Sequence, residues 1–299
     1  MSDRVHLVEV GPRDGLQGET PLPLATRATL IEKLLASGCK QIEVGSFVNP
    51  KRVPQMADTD KLFAQLPTNT TARFSALAAN SRGLQQAIDA NADAVALFTA
   101  TSDTFCLNNI GMDRQQSLEQ FSELASHAKS LDLPVRGYVS TTIACPYEGD
   151  TDPADVAELA YSLYRAGCYQ ISLGDTIGVG TPNKIKRMLQ AVLAEIPANA
   201  VAVHFHDTYG QALANVCVAL EMGIRTVDAS VAGLGGCPYA PGASGNLASE
   251  ELIFLLDGLG MPSGVELPLL VEAGQFISNA LNKPPQSRVN LALSAKNSI

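Results

Sequence analysis

Short apolar runs alternate with longer amphipathic stretches along most of the chain. The runs fall near 5–10, 41–45, 72–77, 93–98, 134–140, 168–173, 201–206 and 225–231. Stretches with helical spacing lie near 24–37, 58–66, 81–91, 113–131, 153–166, 182–195, 209–222 and 247–258. Strand followed by helix, over and over, predicts parallel strands joined by crossover helices. Eight such units in about 260 residues suit a closed (β/α)₈ TIM barrel better than an open doubly wound sheet. No GxGxxG follows an early strand, which weakens a dinucleotide-binding fold. After about residue 260 the rhythm changes. Met261-Pro262-Ser263-Gly264 reads as a turn, a helix is predicted over about 268–281, and Pro284-Pro285 is expected to end helical structure. The whole chain, 1–299, is read as one catalytic domain: a barrel over about 5–260 and a short helical extension over about 261–299.

Within the strands the alternation is informative. Val201, Val203 and Phe205 share one face, and His204 and His206 share the other. Ile42 and Val44 oppose Gln41 and Glu43; Tyr169, Ile171 and Leu173 oppose Gln170 and Ser172; Val227, Ala229 and Val231 oppose Thr226, Asp228 and Ser230. Side chains alternate with period two along a strand. If the apolar set meets the helices, the lumen is unusually polar. Such groups must be satisfied by one another, by water, by a metal or by a ligand. A hydrogen-bonded structural lumen is the plainer alternative.

Composition narrows the function classes. The 299 residues carry 30 acidic and 21 basic side chains, for a net charge of −9. This argues against nonspecific nucleic-acid binding, which depends on Lys and Arg neutralising phosphates. No apolar run reaches the roughly 18 residues that a membrane span needs. No signal peptide is expected from the start of the sequence, so a cytoplasmic protein is. Cys39, Cys106, Cys145, Cys168, Cys217 and Cys237 form no CxxC pair and read as reduced thiols.

Active sites of such barrels sit at the C-terminal ends of the strands. Gly11-Pro12-Arg13-Asp14-Gly15-Leu16-Gln17, Glu43, Tyr138 with Ser140, Asp175, His204-Phe205-His206 and Gly233-Leu234-Gly235-Gly236-Cys237 all fall there. His204 and His206 point the same way and can grip one ion, although two hydrogen-bonded core histidines would look alike. Asp14 and the amide oxygen of Asn246 would complete a mixed N/O set without thiolate. That set favours Mg²⁺ or Mn²⁺, with Co²⁺ or Zn²⁺ as alternatives. His6 and His127 look structural. Arg13, in a loop fixed by glycine and proline, could stabilise a developing enolate. Cys237, on a glycine-hinged loop, could close over a ligand and exchange a proton.

These segments, with Ser46-Phe47-Val48-Asn49-Pro50-Lys51 and Val135-Arg136-Gly137-Tyr138-Val139-Ser140, resemble the 3-hydroxy-3-methylglutaryl-CoA lyases over about residues 5–260. That family belongs with the metal-dependent barrel lyases and Claisen-type synthases. The resemblance implies metal-dependent cleavage of 3-hydroxy-3-methylglutaryl-CoA to acetyl-CoA and acetoacetate, the chemistry of leucine degradation and ketone-body metabolism. It implies a metal on Asp14, His204, His206 and Asn246. It implies catalytic roles for Arg13, His204, Cys237, Glu43 and Asp175, with His204 or Asp175 as the base. Arg13, Gln17, Tyr138 and Ser140 would hold the substrate. An acyl-CoA is the expected partner and a homodimer the expected assembly. No nucleotide redox cofactor, nucleic acid or membrane is expected.

The pattern departs from the family at Pro241, where Lys is expected, at Gly111 and Met112, and over Thr141-Thr142-Ile143-Ala144. These positions leave room for a lyase of another 3-hydroxyacyl-CoA. Synthases and 2-oxo-acid aldolases of the same group are the further alternatives. They typically lack the Cys237-Pro238-Tyr239 segment. A noncatalytic metal-stabilised scaffold is the reading from another class.

Overall fold

The computed structural model describes residues 3–236 and 245–296. Eight parallel strands close into a barrel: β1 (His6–Glu9), β2 (Gln41–Phe47), β3 (Arg73–Ala78), β4 (Ala94–Ala100), β5 (Val135–Ser140), β8 (Gln170–Asp175), β9 (Val201–Phe205) and β10 (Thr226–Ala229). A two-stranded hairpin, β6 (Ala144–Cys145) with β7 (Gly149–Asp150), stands after β5 at the C-terminal rim. Closure comes from β1, which pairs β10 along Val8↔Asp228 and β2 at Glu9↔Ile42. A bulge between Glu43 and Gly45 shifts the β2–β3 register beside the site.

The helices α1 (Leu24–Ala36), α2 (Thr59–Phe63), α3 (Ser81–Asp89), α4 (Asp103–Ile110), α5 (Arg114–Ser130), α6 (Pro153–Arg165), α7 (Pro182–Glu195), α8 (Ala212–Glu221) and α9 (Ser249–Leu259) follow the barrel strands. α10 (Leu267–Ala280) and α11 (Arg288–Lys296) form the extension. Their ends are chemically marked. Asp113 and Gln116 make a reciprocal capping box on α5. Asn80, Ser102 and Asp152 cap α3, α4 and α6, and Pro153 and Pro182 occupy first turns.

The alternation behaves as expected. Ile42, Val44, Ile171, Leu173, Val201, Val203 and Phe205 are buried in the layer between strands and helices. Each such side chain contributes roughly 1.5–3 kcal/mol on leaving water. The opposite faces build a polar lumen. Arg136 donates to both oxygens of Asp228 at 3.0 and 2.6 Å and to Gln170 at 2.9 Å. Gln170 in turn donates to Thr226 at 3.0 Å, and Ser172 donates to Asp228 at 2.8 Å.

Two expectations need correction. Pro284-Pro285 does not end helical structure: α11 follows, anchored by Asn290 on Glu250 at 2.9 Å and by Ser287 on Glu251 at 2.7 Å. α4 and the β6–β7 hairpin add elements that periodicity did not reveal. His6 on β1 and His127 on α5 are solvent-exposed and line no part of the site's cavity. Cys39, Cys106, Cys145, Cys168 and Cys217 are free thiols, as expected; Cys237 lies outside the described residues.

Candidate active site at the C-terminal mouth

The chain leaves β1 in a single π-helical turn, Gly11–Gly15, with Pro12 in its second position. Asp14 and Gly15 both donate their amides to the Val10 carbonyl, at 2.7 and 3.2 Å. The turn packs too closely for larger residues. A Cβ on Gly11 would lie 2.6 Å from Glu9 Oε1, and one on Gly15 2.6 Å from Ser230 Oγ. The turn thereby aims Arg13 and Asp14 over the barrel mouth.

β9 brings His204 and His206 to the same place. Asp14, His204 and His206 each offer a ligand atom, all within 4.8 Å of one another, and the three could hold a metal ion. His204 Nε2 stands 3.9 Å from Asp14 Oδ2, and its Nδ1 faces Asp228 Oδ2 at 3.3 Å. The imidazole rings lie 5.5 Å apart. Asn246 bridges to His206 through its backbone and donates its amide nitrogen to Asp14 at 2.8 Å and to the Leu234 carbonyl at 3.1 Å.

The electrostatics suit a cation. Burial and the neighbouring His204 push His206 down to about 4, so its ring is neutral at pH 7, and its Nδ1 is buried with no partner. Burial works against the charge of Asp14, but Arg13, His204 and His206 outweigh it and hold the carboxyl well below the usual range. An anionic oxygen beside the neutral imidazole of His206 is the state that metal binding requires. The donors and this orphaned nitrogen therefore fit a divalent metal.

Arg13 is the other pole. It pairs with Asp14 and, at 3.1 Å, with Glu43, and packs over the Tyr138 ring at 5.5 Å. Its Nε is buried without a partner. Glu43 also accepts from Tyr138 Oη at 2.7 Å, and Arg136 donates to the same phenol at 2.7 Å. Arg13, Asp14, Gln17, Tyr138, Ser140, His204 and His206 line one cavity of about 190 Å³.

The remaining candidates lie elsewhere. Glu43 sits behind Arg13 and Tyr138, not on the cavity wall. Asp175 shares the outward face with Ile171 and Leu173. Its carboxyl is wrapped by the loop amides of Gly178, Val179 and Gly180, and burial pushes it up to about 6. It does not line the cavity. Cys237 and Pro241 lie outside the described residues. Sequence reasoning gave no role to Asp228, whose signal was its place on the lumen face in register with His204. It also missed Leu77, Phe98 and Phe105, which form an apolar cavity wall.

Among the described residues no helix is long and apolar enough to cross a membrane. The HMGL-like family model matches residues 4–277. Hydroxymethylglutaryl-CoA lyase, mitochondrial, of Gallus gallus is 51% identical over 290 residues, covering 97% of either chain. Similar relatives are named for the cytoplasm as well as for mitochondria. The crystal structure of hydroxymethylglutaryl-CoA lyase from Pseudomonas aeruginosa superimposes with a TM-score of 0.96 at 48% identity, covering 99% of each chain. An HMG-CoA lyase from Acinetobacter baumannii, in complex with coenzyme A and 3-methylmalate, gives 0.92 at 35% identity, covering 98% of this chain and 96% of that one. The cavity geometry and these likenesses agree, and the chain belongs to the HMGL-like family, among the hydroxymethylglutaryl-CoA lyases.

Proposed function

We infer that the protein cleaves 3-hydroxy-3-methylglutaryl-CoA to acetyl-CoA and acetoacetate. The observation that carries this reading is the convergence of Asp14, His204 and His206 within 4.8 Å beside Arg13 in one cavity. A divalent metal, Mg²⁺ or Mn²⁺ by its donor set, would be held by Asp14, His204, His206 and the Asn246 amide. When bound it supplies a Lewis acid that acidifies the substrate's tertiary hydroxyl.

The chain's own residues do the rest. Asp228 behind His204 Nδ1 fixes the ring and turns Nε2 toward Asp14. With Nε2 so used, His204 is not free to take the hydroxyl proton, and Asp175 lies outside the cavity; water at the mouth takes that proton. The electron pair of the new alkoxide forms the ketone as the C–C bond breaks, and the bonding pair passes to the thioester enolate. Arg13, on the cavity wall and held in place by Glu43 and Asp14, stabilises the enolate oxygen. Cys237, next after Gly236 in the sequence, protonates the enolate carbon. Tyr138, Ser140 and Gln17 border the acyl group, and Leu77, Phe98 and Phe105 receive its methyl side.

The departures at Gly111, Met112 and Pro241 bear on the thioester's tail more than on this chemistry. The test is to incubate the protein with Mg²⁺ or Mn²⁺ and a panel of 3-hydroxyacyl-CoA esters, then identify products by mass. Acetoacetate with acetyl-CoA supports the reading. Turnover of a different ester would reassign the substrate, pyruvate would favour an aldolase, and no turnover would reject catalysis. A homodimer in the cytoplasm is the expected setting, checked by light scattering and cell fractionation.

A further inference from the structure

Glu9 is the last residue of β1, fully buried, and absent from the cavity wall. Its carboxyl collects three donors. Oε1 accepts from Gly11 N at 2.8 Å and Val231 N at 2.9 Å, and Oε2 accepts from Ser249 Oγ at 2.6 Å. Each donor belongs to a different segment of the site. Gly11 opens the turn that carries Arg13 and Asp14. Val231 follows β10 on the way into the glycine loop. Ser249 begins α9, three residues beyond Asn246. The two ends of that loop are also stitched together, by Ser230 N on Leu247 O at 2.9 Å and Ser249 N on Ser230 O at 3.0 Å.

A buried carboxyl held only by two amides and a hydroxyl is a costly way to fill space. Burial pushes it up to about 7. An apolar side chain would avoid that cost but could not tie three backbones to one point. The close approach of Gly11 to Glu9 and of Gly15 to Ser230 leaves little slack in the arrangement.

We propose that Glu9 is a positioning residue whose single carboxyl group sets the spacing between the Arg13–Asp14 turn, the segment at Val231 and the segment of Asn246 and Ser249. Its catalytic consequence rests on the lyase reading. Functional constellations tolerate displacements of only about 0.5 Å, and a shift of about 1 Å is worth on the order of 100-fold in rate.

The experiment compares Glu9→Ala, Glu9→Gln and Ser249→Ala with the unaltered protein. The readouts are kcat, KM, and Mn²⁺ affinity by electron paramagnetic resonance. Glu9→Ala should lower kcat about 100-fold with little change in KM, and weaken Mn²⁺ binding about tenfold or more. Glu9→Gln should recover most of both. Its amide oxygen accepts the two backbone N–H groups, and its amide nitrogen donates to Ser249. Ser249→Ala, which cuts one tie, should fall between the two, and it decides the matter if Glu9→Ala does not fold. The proposal is overturned if folded Glu9→Ala keeps kcat and Mn²⁺ affinity within about twofold. It is equally overturned if Glu9→Gln is as impaired as Glu9→Ala, or if Glu9→Ala fails to fold and Ser249→Ala behaves as the unaltered protein. Should the unaltered protein not cleave the thioester, the lyase reading fails, and the Mn²⁺ affinities alone decide the role of Glu9.

Discussion

Two side chains of the site, Arg13 and Asp228, and the proposed proton donor Cys237 invite single substitutions. Arg13 lines the cavity and holds Asp14 and Glu43 with separate nitrogens. A lysine carries the charge but not this fork. Arg13→Lys is therefore expected to lower kcat by roughly 10²–10³-fold, with the fold intact by circular dichroism. Cys237→Ala should lower turnover by about 10²–10⁴-fold and leave Mn²⁺ affinity unchanged; full turnover would remove the thiol from proton transfer. Asp228 is buried between Arg136 and His204, and despite its burial the Arg136 guanidinium and these hydrogen bonds hold it at about 2. Asp228→Asn should weaken Mn²⁺ binding about 10–100-fold. It also leaves the Arg136 charge without its counterion, a loss on the order of 3–5 kcal/mol in denaturant unfolding.

At the scale of elements, the strands and most helices were legible because each has one periodicity. His204 and His206 declared themselves by alternation with Val203 and Phe205, and Asp14 by its place after the first strand. What escaped has no periodic signal. α4 is an eight-residue helix whose buried residues are Phe105 and Cys106. α11 follows two prolines and is fastened by side chains far away in sequence, Glu250 and Glu251. Asp175, read as catalytic because it is a carboxylate at a strand end, lies off the cavity wall. Its parity with Ile171 and Leu173 would have turned it outward, where the following loop folds back onto it. The anchoring of α11 can be checked. Asn290 donates to Glu250 and to the Val271 carbonyl. Asn290→Ala leaves both acceptors short of a donor and should cost about 1–3 kcal/mol, read by urea titration.

For the whole molecule, buried acids set the pH dependence of stability. Burial raises Glu9 to about 7 and Glu250 to about 8 from an ordinary 4.5. Between 4.5 and these values the unfolded chain has released protons that the folded chain keeps, so stability falls as pH rises. His206, pushed down to about 4 from 6.5, acts oppositely: its contribution is lost as pH falls below 6.5. Between pH 6.5 and 8 Glu9 and Glu250 are the described groups whose raised values act, and the thermal midpoint is expected to drop across that window. Glu250→Gln should flatten that slope, measured by scanning calorimetry at both ends of the window; an unchanged slope would mean Glu250 is ionised in the folded protein.

The Arg136–Asp228 pair has one more consequence. Joined by Gln170, Thr226 and Ser172, it fills the waist of the cylinder with side chains that grip one another. This network stands between the cavity at the mouth and the far end, so the vessel has its door at the mouth. A cleavage that turns one molecule into two must then send both fragments out the way the whole came in, and the one nearer the threshold has to leave first.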